Sequence, residues 1–191
     1  MTPEDVYLAA ERLEGLVRRT PLLEVSQPTL PLAPEAGPIF LKLESMQRSG
    51  SFKLRGALNA ALTLDPRPSA LVTASGGNHG AGLACAGLQL GLPVEVYVPK
   101  STPPEKRARL VRLGATVRIC GEVWDDADAA ARAACAESGA AYVHPFADPA
   151  VIAGNGTVAL EILADLPEVA CVVIAVGGGG LIGGCARAIK A

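Results

Sequence analysis

Three short segments of the sequence join small residues to groups capable of chemistry. The first runs from Gln47 to Ala57 and contains Gly50-Ser51-Phe52-Lys53-Leu54-Arg55-Gly56. Lys53 falls in the first turn of a run that reads as a helix from Phe52 to Leu64, where a cation opposes the positive end of the helix dipole. Burial and the dipole both lower a lysine pKa, and the neutral amine is the form that condenses with an aldehyde to a Schiff base. The ordinary alternative is a solvated surface lysine.

The second segment is Ser75-Gly76-Gly77-Asn78-His79-Gly80, between an apolar run and a helical stretch. Ser75 is a natural helix-capping residue, and its small neighbours leave main-chain amides free for a carboxylate or phosphate. Asn78 offers a donor and an acceptor to a ring substituent, or serves as a cap. His79 reads more simply as a hydrogen-bonded helix start.

The third segment is Gly177-Gly178-Gly179-Gly180, followed by Leu181. Four consecutive glycines exceed what a turn needs, and bare amides ahead of a helix can cradle a phosphate. The same residues contain Gly178-x-Gly180-x-x-Gly183, a formal match to a dinucleotide fingerprint. A nicotinamide-dependent oxidoreductase is therefore the alternative class, although it leaves Lys53 and Asn78 unused.

The elements that must carry these segments alternate in type. Thr2-Pro3-Glu4-Asp5 opens a helix expected to reach Val17, and a strand is expected over Pro38 to Leu43. Asp65 to Ser69 reads as a hinge. Beyond it come apolar runs at 70–73, 94–98, 116–120 and 141–143, separated by helical stretches at 78–90, 103–113 and 123–138. That order implies crossovers and a parallel sheet. Residues 144–149 read as punctuation, followed by a helix near 158–166 and a strand over 170–176. The expectation is a doubly wound α/β protein with a smaller domain, residues 66–146, inserted in a larger one of residues 1–65 and 147–191.

Composition removes several other classes. Of 191 residues, 50% are hydrophobic and 19% charged, which excludes a disordered chain. Seventeen basic against 19 acidic residues, with no basic run, give no surface for nucleic acid or an acidic membrane. Val169 to Ala186 carries no charge, but six of its 18 residues are glycine, so it does not read as a spanning helix. Five cysteines without paired spacing read as small buried residues in a reducing compartment. The acidic N-terminus does not read as a secretory signal, and a cytoplasmic location is expected.

Taken in order, Leu41-Lys42-Leu43-Glu44, Gly50-Ser51-Phe52-Lys53-x-Arg55-Gly56-Ala57, Ser75-x-Gly77-Asn78-His79 and Gly177 to Gly180 resemble the pyridoxal-phosphate enzymes of the tryptophan-synthase-β fold type (fold type II). Thr20-Pro21-Leu22 and Val151 to Glu161 are similar to its threonine dehydratase and serine racemase branch. The resemblance implies pyridoxal 5'-phosphate as cofactor, Lys53 as its Schiff-base lysine and acceptor of the Cα proton, and Phe52 seating its ring. It implies Asn78 on the phenolic oxygen, with Gly177, Gly178, Gly179, Gly180 and the Leu181 amide on the phosphate. Ser75, Gly76, Gly77, Asn78 and His79 would bind the substrate α-carboxylate. The implied reaction is β-elimination of L-threonine, and of L-serine, to a 2-oxo acid and ammonia in a homo-oligomer, dimer or tetramer.

Two departures qualify the resemblance. Racemases of the branch carry a second acid/base serine at the position of Gly76, so dehydration is favoured over racemisation. Family members also continue well past the glycine loop, where they carry a group for the pyridine nitrogen and, in several relatives, an acidic metal cluster. The chain is accordingly read as one piece of a longer polypeptide, and no metal site is assigned.

Overall fold

A computed structural model describes residues 1–25 and 37–190. Residues 26–36 and Ala191, which belong to the expected larger domain, lie outside the described part. Helix α1 covers Pro3–Leu13, with Pro3 at its first position and the Asp5 carboxylate accepting the Thr2 N–H at 2.6 Å. It stops four residues short of the expected Val17. Gly15 takes φ 73°, a left-handed conformation that ends the helix, and Leu16 and Val17 fold back onto the Leu13 carbonyl.

Two short strands, β1 (Leu22–Val25) and β2 (Ile39–Lys42), form an antiparallel ribbon in which Leu22 faces Lys42. The expected strand at 38–43 is thus present, and β1 is its unforeseen partner. Helix α2 (Lys53–Leu62) begins at Lys53 and buries eight consecutive residues, Leu54 to Ala61. A one-sided surface helix would not do that, and α2 is instead enclosed by helices α3 (Asn78–Leu90) and α6 (Pro149–Asp165).

The four apolar runs become β3 (Leu71–Ala74), β4 (Val94–Val98), β5 (Thr116–Ile119) and β6 (Ala141–Tyr142), all parallel, in the order β5-β4-β3-β6. Helix α4 (Pro104–Arg112) precedes β5, and α5 (Trp124–Ser138) precedes β6. Leu71, Val94, Val96 and Val98 join the core formed with α2, α3 and Leu110 of α4. On the other face Val72 and Ala74 pack on Ala127 and Ala131 of α5. The sheet is therefore covered on both sides, as a doubly wound arrangement requires.

Strand order alone marks one edge of the sheet as the place where a ligand is expected. From β3 the chain adds β4 and β5 on one side, then returns to pair β6 on the other. The direction of winding reverses between β3 and β6, and ligands of open parallel sheets collect beyond the carboxyl ends of strands at such a reversal. The segments leaving those two ends are residues 75–77 and 143–148.

Three expectations are corrected. Helix α6 begins at Pro149, not near Val158, because Asp148 accepts the Ala150 N–H at 2.7 Å and Pro149 takes the first helical position. Residues 170–176 form no ladder with any described strand, so a single parallel sheet is present among the described residues. Their burial still alternates, with Val172 and Ile174 half-buried and Val173 94% exposed. The period-2 pattern is real, but a strand also needs a neighbour. Finally, not every cysteine is buried: Cys85 and Cys185 are, Cys120 and Cys135 are half-buried, and Cys171, in that unpaired segment, is exposed.

Helix α7 (Gly180–Ile189) follows the glycine loop and packs against α6, burying Gly184, Cys185 and Ala188. Gly156 and Gly184 meet backbone to backbone: a Cβ on Gly156 would lie 2.8 Å from the Gly184 carbonyl carbon. No helix among the described residues is long and apolar enough to cross a membrane.

Candidate active site

Lys53 stands at the first position of α2, and its amine donates a 2.7 Å hydrogen bond to the carbonyl of Pro145, in the segment leaving β6. Burial pushes its pKa below the usual lysine value. The amine also lies 5.3 Å from the centroid of the Phe52 ring. Neighbouring α3 holds this helix start closely, since a Cβ on Gly82 would come within 2.9 Å of the Lys53 carbonyl carbon.

The Ser75 loop caps α3 with Gly77, and Ser75 Oγ accepts the Gly77 N–H at 3.4 Å. Asn78 is exposed at the mouth of the sheet, and its Oδ1 accepts from Arg109 at 3.4 Å, leaving its amide donors free of described partners. Arg109 also donates to the Ser49 carbonyl at 2.7 Å, tying α4 to the segment ahead of Lys53. His79 turns inward. It is buried, its Nε2 lies 3.2 Å from the Val143 carbonyl, and burial together with the Lys53 charge drives its pKa down to about 3, so the ring is neutral. Its imidazole is thus a bonded helix start, and what it leaves at the surface is the first turn of α3.

The glycine loop ends at Gly179, with φ 83°, and Gly180 opens α7, whose first-turn N–H groups have no intrahelical acceptor. Gly177 and Gly179 face open space. Gly178 does not: a Cβ there would lie 2.6 Å from Phe146 Cδ1, and one on Gly180 would lie 3.1 Å from the Phe146 carbonyl oxygen. Leu181 is half-buried against the core between α6 and α7.

All three segments therefore touch one piece of chain. Val143 accepts from or faces His79, Pro145 accepts from Lys53, and Phe146 fills the space beneath Gly178. Residues 144–149 read as punctuation in the sequence, yet Pro145 and Phe146 of that stretch join the three segments. The available signal was His144-Pro145-Phe146, two rings around a proline in a chain with only 4% aromatic residues.

A second group escaped the sequence reading. Arg55, 0% exposed, donates to both oxygens of Glu44 at 2.9 and 2.8 Å and to both of Glu161 at 2.6 and 3.0 Å. Lys42 reaches Glu161 at 2.6 Å. Burial alone would raise the Glu161 carboxyl, but the bonds from Arg55 and Lys42 outweigh it and hold its pKa below the usual range. This network fastens α2, and with it Lys53, to β2 and α6.

The residues present suit an aldehyde that also carries a phosphate. A half-buried amine with a depressed pKa, a loop without side chains at a helix start, and an asparagine with free donors surround one mouth. Ser51 Oγ and His79 Nδ1, both buried near Lys53, have no described partner. By contrast, the dinucleotide reading of Gly178 to Gly183 leaves the half-buried Lys53 amine and the Asn78 donors without a use.

Comparison with known proteins agrees. The chain is 46% identical over 186 residues to the L-threonine ammonia-lyase of Geobacter sulfurreducens, covering 95% of this chain and 45% of that protein. It is 44% identical over 195 residues to the L-threonine ammonia-lyase of Thermotoga maritima, covering 100% of this chain and 47% of that protein. The chain thus spans about half the length of the curated relatives it matches. A crystal structure of a pyridoxal 5'-phosphate-dependent aspartate racemase superposes with a TM-score of 0.92 at 33% identity, over 100% of this chain and 59% of that one. The family model described as "Pyridoxal-phosphate dependent enzyme" matches residues 13–191, and the chain belongs to that family.

Proposed function

We propose that this chain is part of a pyridoxal-phosphate-dependent ammonia-lyase that converts L-threonine, and more weakly L-serine, to the 2-oxo acid and ammonia. The observation that carries the reading is the Lys53 amine, kept toward its neutral form by burial and held beside the turn that also underlies the glycine loop. The names and identities of the two ammonia-lyases support the choice of reaction.

When bound, pyridoxal phosphate supplies an aldehyde for attachment and a ring that draws electron density from the substrate Cα. The rest falls to the protein. Lys53 Nζ would be the attachment amine and, when its amine is free, the general base for the Cα proton. Amides of Gly177 to Gly180 and Leu181 bind the phosphate at the start of α7. Phe52 would seat the ring, and Asn78 would donate to its phenolic oxygen. The main chain of Ser75, Gly76, Gly77, Asn78 and His79 binds the α-carboxylate at the start of α3. The β-hydroxyl would leave as water, with one proton taken up to balance the one removed from Cα, and hydrolysis of the enamine product would consume a water to give the 2-oxo acid and ammonia.

Racemisation is the competing reaction, and the aspartate racemase likeness keeps it in view. Gly76 argues against it. The position has no proton-bearing side chain, and a Cβ there would lie 2.8 Å from Thr102 Cγ2, so the second acid/base has neither atoms nor room.

Residues 66–146, which carry the sheet, form the smaller domain, and residues 1–65 and 147–191 belong to the larger one. All five cysteines are free, which supports a reducing, cytoplasmic setting, and assembly is as a homo-oligomer.

The test uses the intact gene product that contains this chain. Addition of pyridoxal phosphate produces a visible absorption band, and borohydride reduction followed by peptide mass spectrometry finds the adduct on Lys53. A colourless protein, or an adduct on another lysine, overturns the proposal. Assay of 2-oxo acid against D-serine from L-serine separates lyase from racemase.

A further inference from the structure

His144 is engaged in a way the reaction above does not use. Its Nδ1 accepts the N–H of Phe146 at 3.2 Å and that of Ala147 at 2.9 Å. Both partners are main-chain donors, so Nδ1 carries no proton and the ring is neutral with its hydrogen on Nε2. The pattern, residue i accepting from i+2 and i+3, is the one an asparagine makes in a side-chain-closed turn. The ring is fixed on three sides by aromatic edges. Trp124, Tyr142 and Phe146 stand at 6.5, 6.2 and 4.6 Å between centroids, all near perpendicular. Trp124 is itself anchored by donating to the Ala74 carbonyl at 2.8 Å, at the end of β3.

The turn that His144 closes holds the two contacts on which the site depends: the buried Pro145, whose carbonyl accepts from Lys53, and Phe146, whose ring lies under Gly178. We propose that His144 is a positioning residue for this site: its unprotonated Nδ1 pins the 144–147 turn, and through that turn sets where Pro145 holds the Lys53 amine and where Phe146 supports the glycine loop. This rests on the functional reading above. It adds that the site disengages in acid, because a proton on Nδ1 turns the acceptor of two hydrogen bonds into a donor facing two donors.

The charged and titratable groups around the ring are Arg132 and Asp128 of α5, Tyr142 of β6, Asp148 at the cap of α6, Lys53 of α2 and His79 of α3. Burial comes first in lowering the His144 pKa, Arg132 and Lys53 act in the same direction, and Asp128 and Asp148 oppose them. The neutral form therefore persists to a pH below the usual histidine value of 6.5, and the pin holds throughout the neutral range.

Two substitutions separate the pin from its aromatic surroundings. His144→Phe keeps a ring among Trp124, Tyr142 and Phe146 but has no acceptor; His144→Asn restores an acceptor in the same turn and does not titrate. In the intact gene product without cofactor, acetylation of Lys53 is followed against pH by mass spectrometry. Wild type and His144→Asn should give the same lowered midpoint, while His144→Phe should move it up toward the ordinary lysine value as water reaches the amine. With cofactor, His144→Phe should lose about tenfold in kcat with KM changed by no more than about twofold, and His144→Asn should recover most of that loss. The emission of Trp124, the single tryptophan, should titrate below pH 6.5 in wild type and not in His144→Asn.

The inference is overturned if His144→Phe labels Lys53 with the wild-type midpoint, or if His144→Asn behaves like His144→Phe. Should His144→Phe fail to fold, the asparagine variant decides alone, by keeping the Lys53 midpoint while losing the Trp124 titration. A protein that shows these labelling differences yet never acquires the cofactor band refutes the functional reading and leaves the pin standing.

Discussion

The Lys53 amine donates to the Pro145 carbonyl across 2.7 Å, joining the first residue of α2 to the segment that leaves β6. The two are 92 residues apart in the chain, and the bond fixes the direction of the amine while leaving its lone pair free. The contact forms where the winding of the sheet reverses, so the position of the amine follows from strand order as much as from its own helix.

Replacing Lys53 with Ala should abolish the cofactor absorption band and lower kcat by about a thousandfold or more. The fold should be nearly indifferent, because the side chain makes a single described hydrogen bond. Urea unfolding monitored by circular dichroism should find a change of no more than about 1 kcal/mol. A variant that still colours with cofactor would remove Lys53 from its role.

Gly178 and Phe146 should behave as a coupled pair. A methyl group at 178 meets the Phe146 ring, with Cδ1 only 2.6 Å from the added Cβ. Gly178→Ala is therefore expected to weaken pyridoxal phosphate binding by roughly tenfold or more, at a stability cost of about 1–3 kcal/mol. Adding Phe146→Ala should restore part of the affinity by making space. Fluorescence titration of both variants checks this, and additive losses would show that the two do not share one contact.

The Gly76 site should resist conversion to a racemase by a single change. Gly76→Ser brings its Cβ within 2.8 Å of Thr102 Cγ2, and about 1–3 kcal/mol of stability should be lost. Thr102→Ala in the same background should recover most of that loss. Chiral chromatography of the products from L-serine should then detect more D-serine in the double variant than in wild type; no rise at all would mean that geometry at residue 76 does not limit racemisation.

Glu161 should carry stability that depends on acid. Its folded pKa is depressed, so its contribution is complete above the ordinary carboxyl value of 4.5 and is lost as pH falls through the lower folded value. Glu161→Gln leaves Lys42 and half of the Arg55 guanidinium without their carboxylate, and should cost about 3 kcal/mol at neutral pH. Below pH 4.5 the gap to wild type should narrow. Denaturant melts at pH 7 and pH 4 measure it, and a constant gap would contradict the assigned ionisation.

Local pattern carried the sheet. The runs ending at Ala74, Val98 and Ile119 are rich in β-branched residues, and these three and the short run ending at Tyr142 each lie within one residue of the expected place. The start of α3 at Asn78 was equally legible, since it follows small residues and precedes an apolar, helix-forming run, and α2 starts one residue after the expected Phe52 and ends two before the expected Leu64. The early start of α6 was missed although Asp148-Pro149 encodes it, because Gly154 and Gly156 weakened the helical pattern. Those glycines serve close packing: a Cβ on Gly154 would lie 2.5 Å from the Arg55 carbonyl.

What the residues by themselves determined was the chemistry on offer: an amine at a helix start, bare amides ahead of α3 and α7, and the strands that end beside them. Tertiary structure alone decided which groups meet. Arg55 closing on Glu44 and Glu161, His79 turning inward to Val143, and Pro145 and Phe146 lying under Lys53 and Gly178 all join positions from 11 to 106 residues apart. Such contacts leave no periodic trace, because periodicity records which face of an element is buried, whereas the partner on that face is set by how the elements pack.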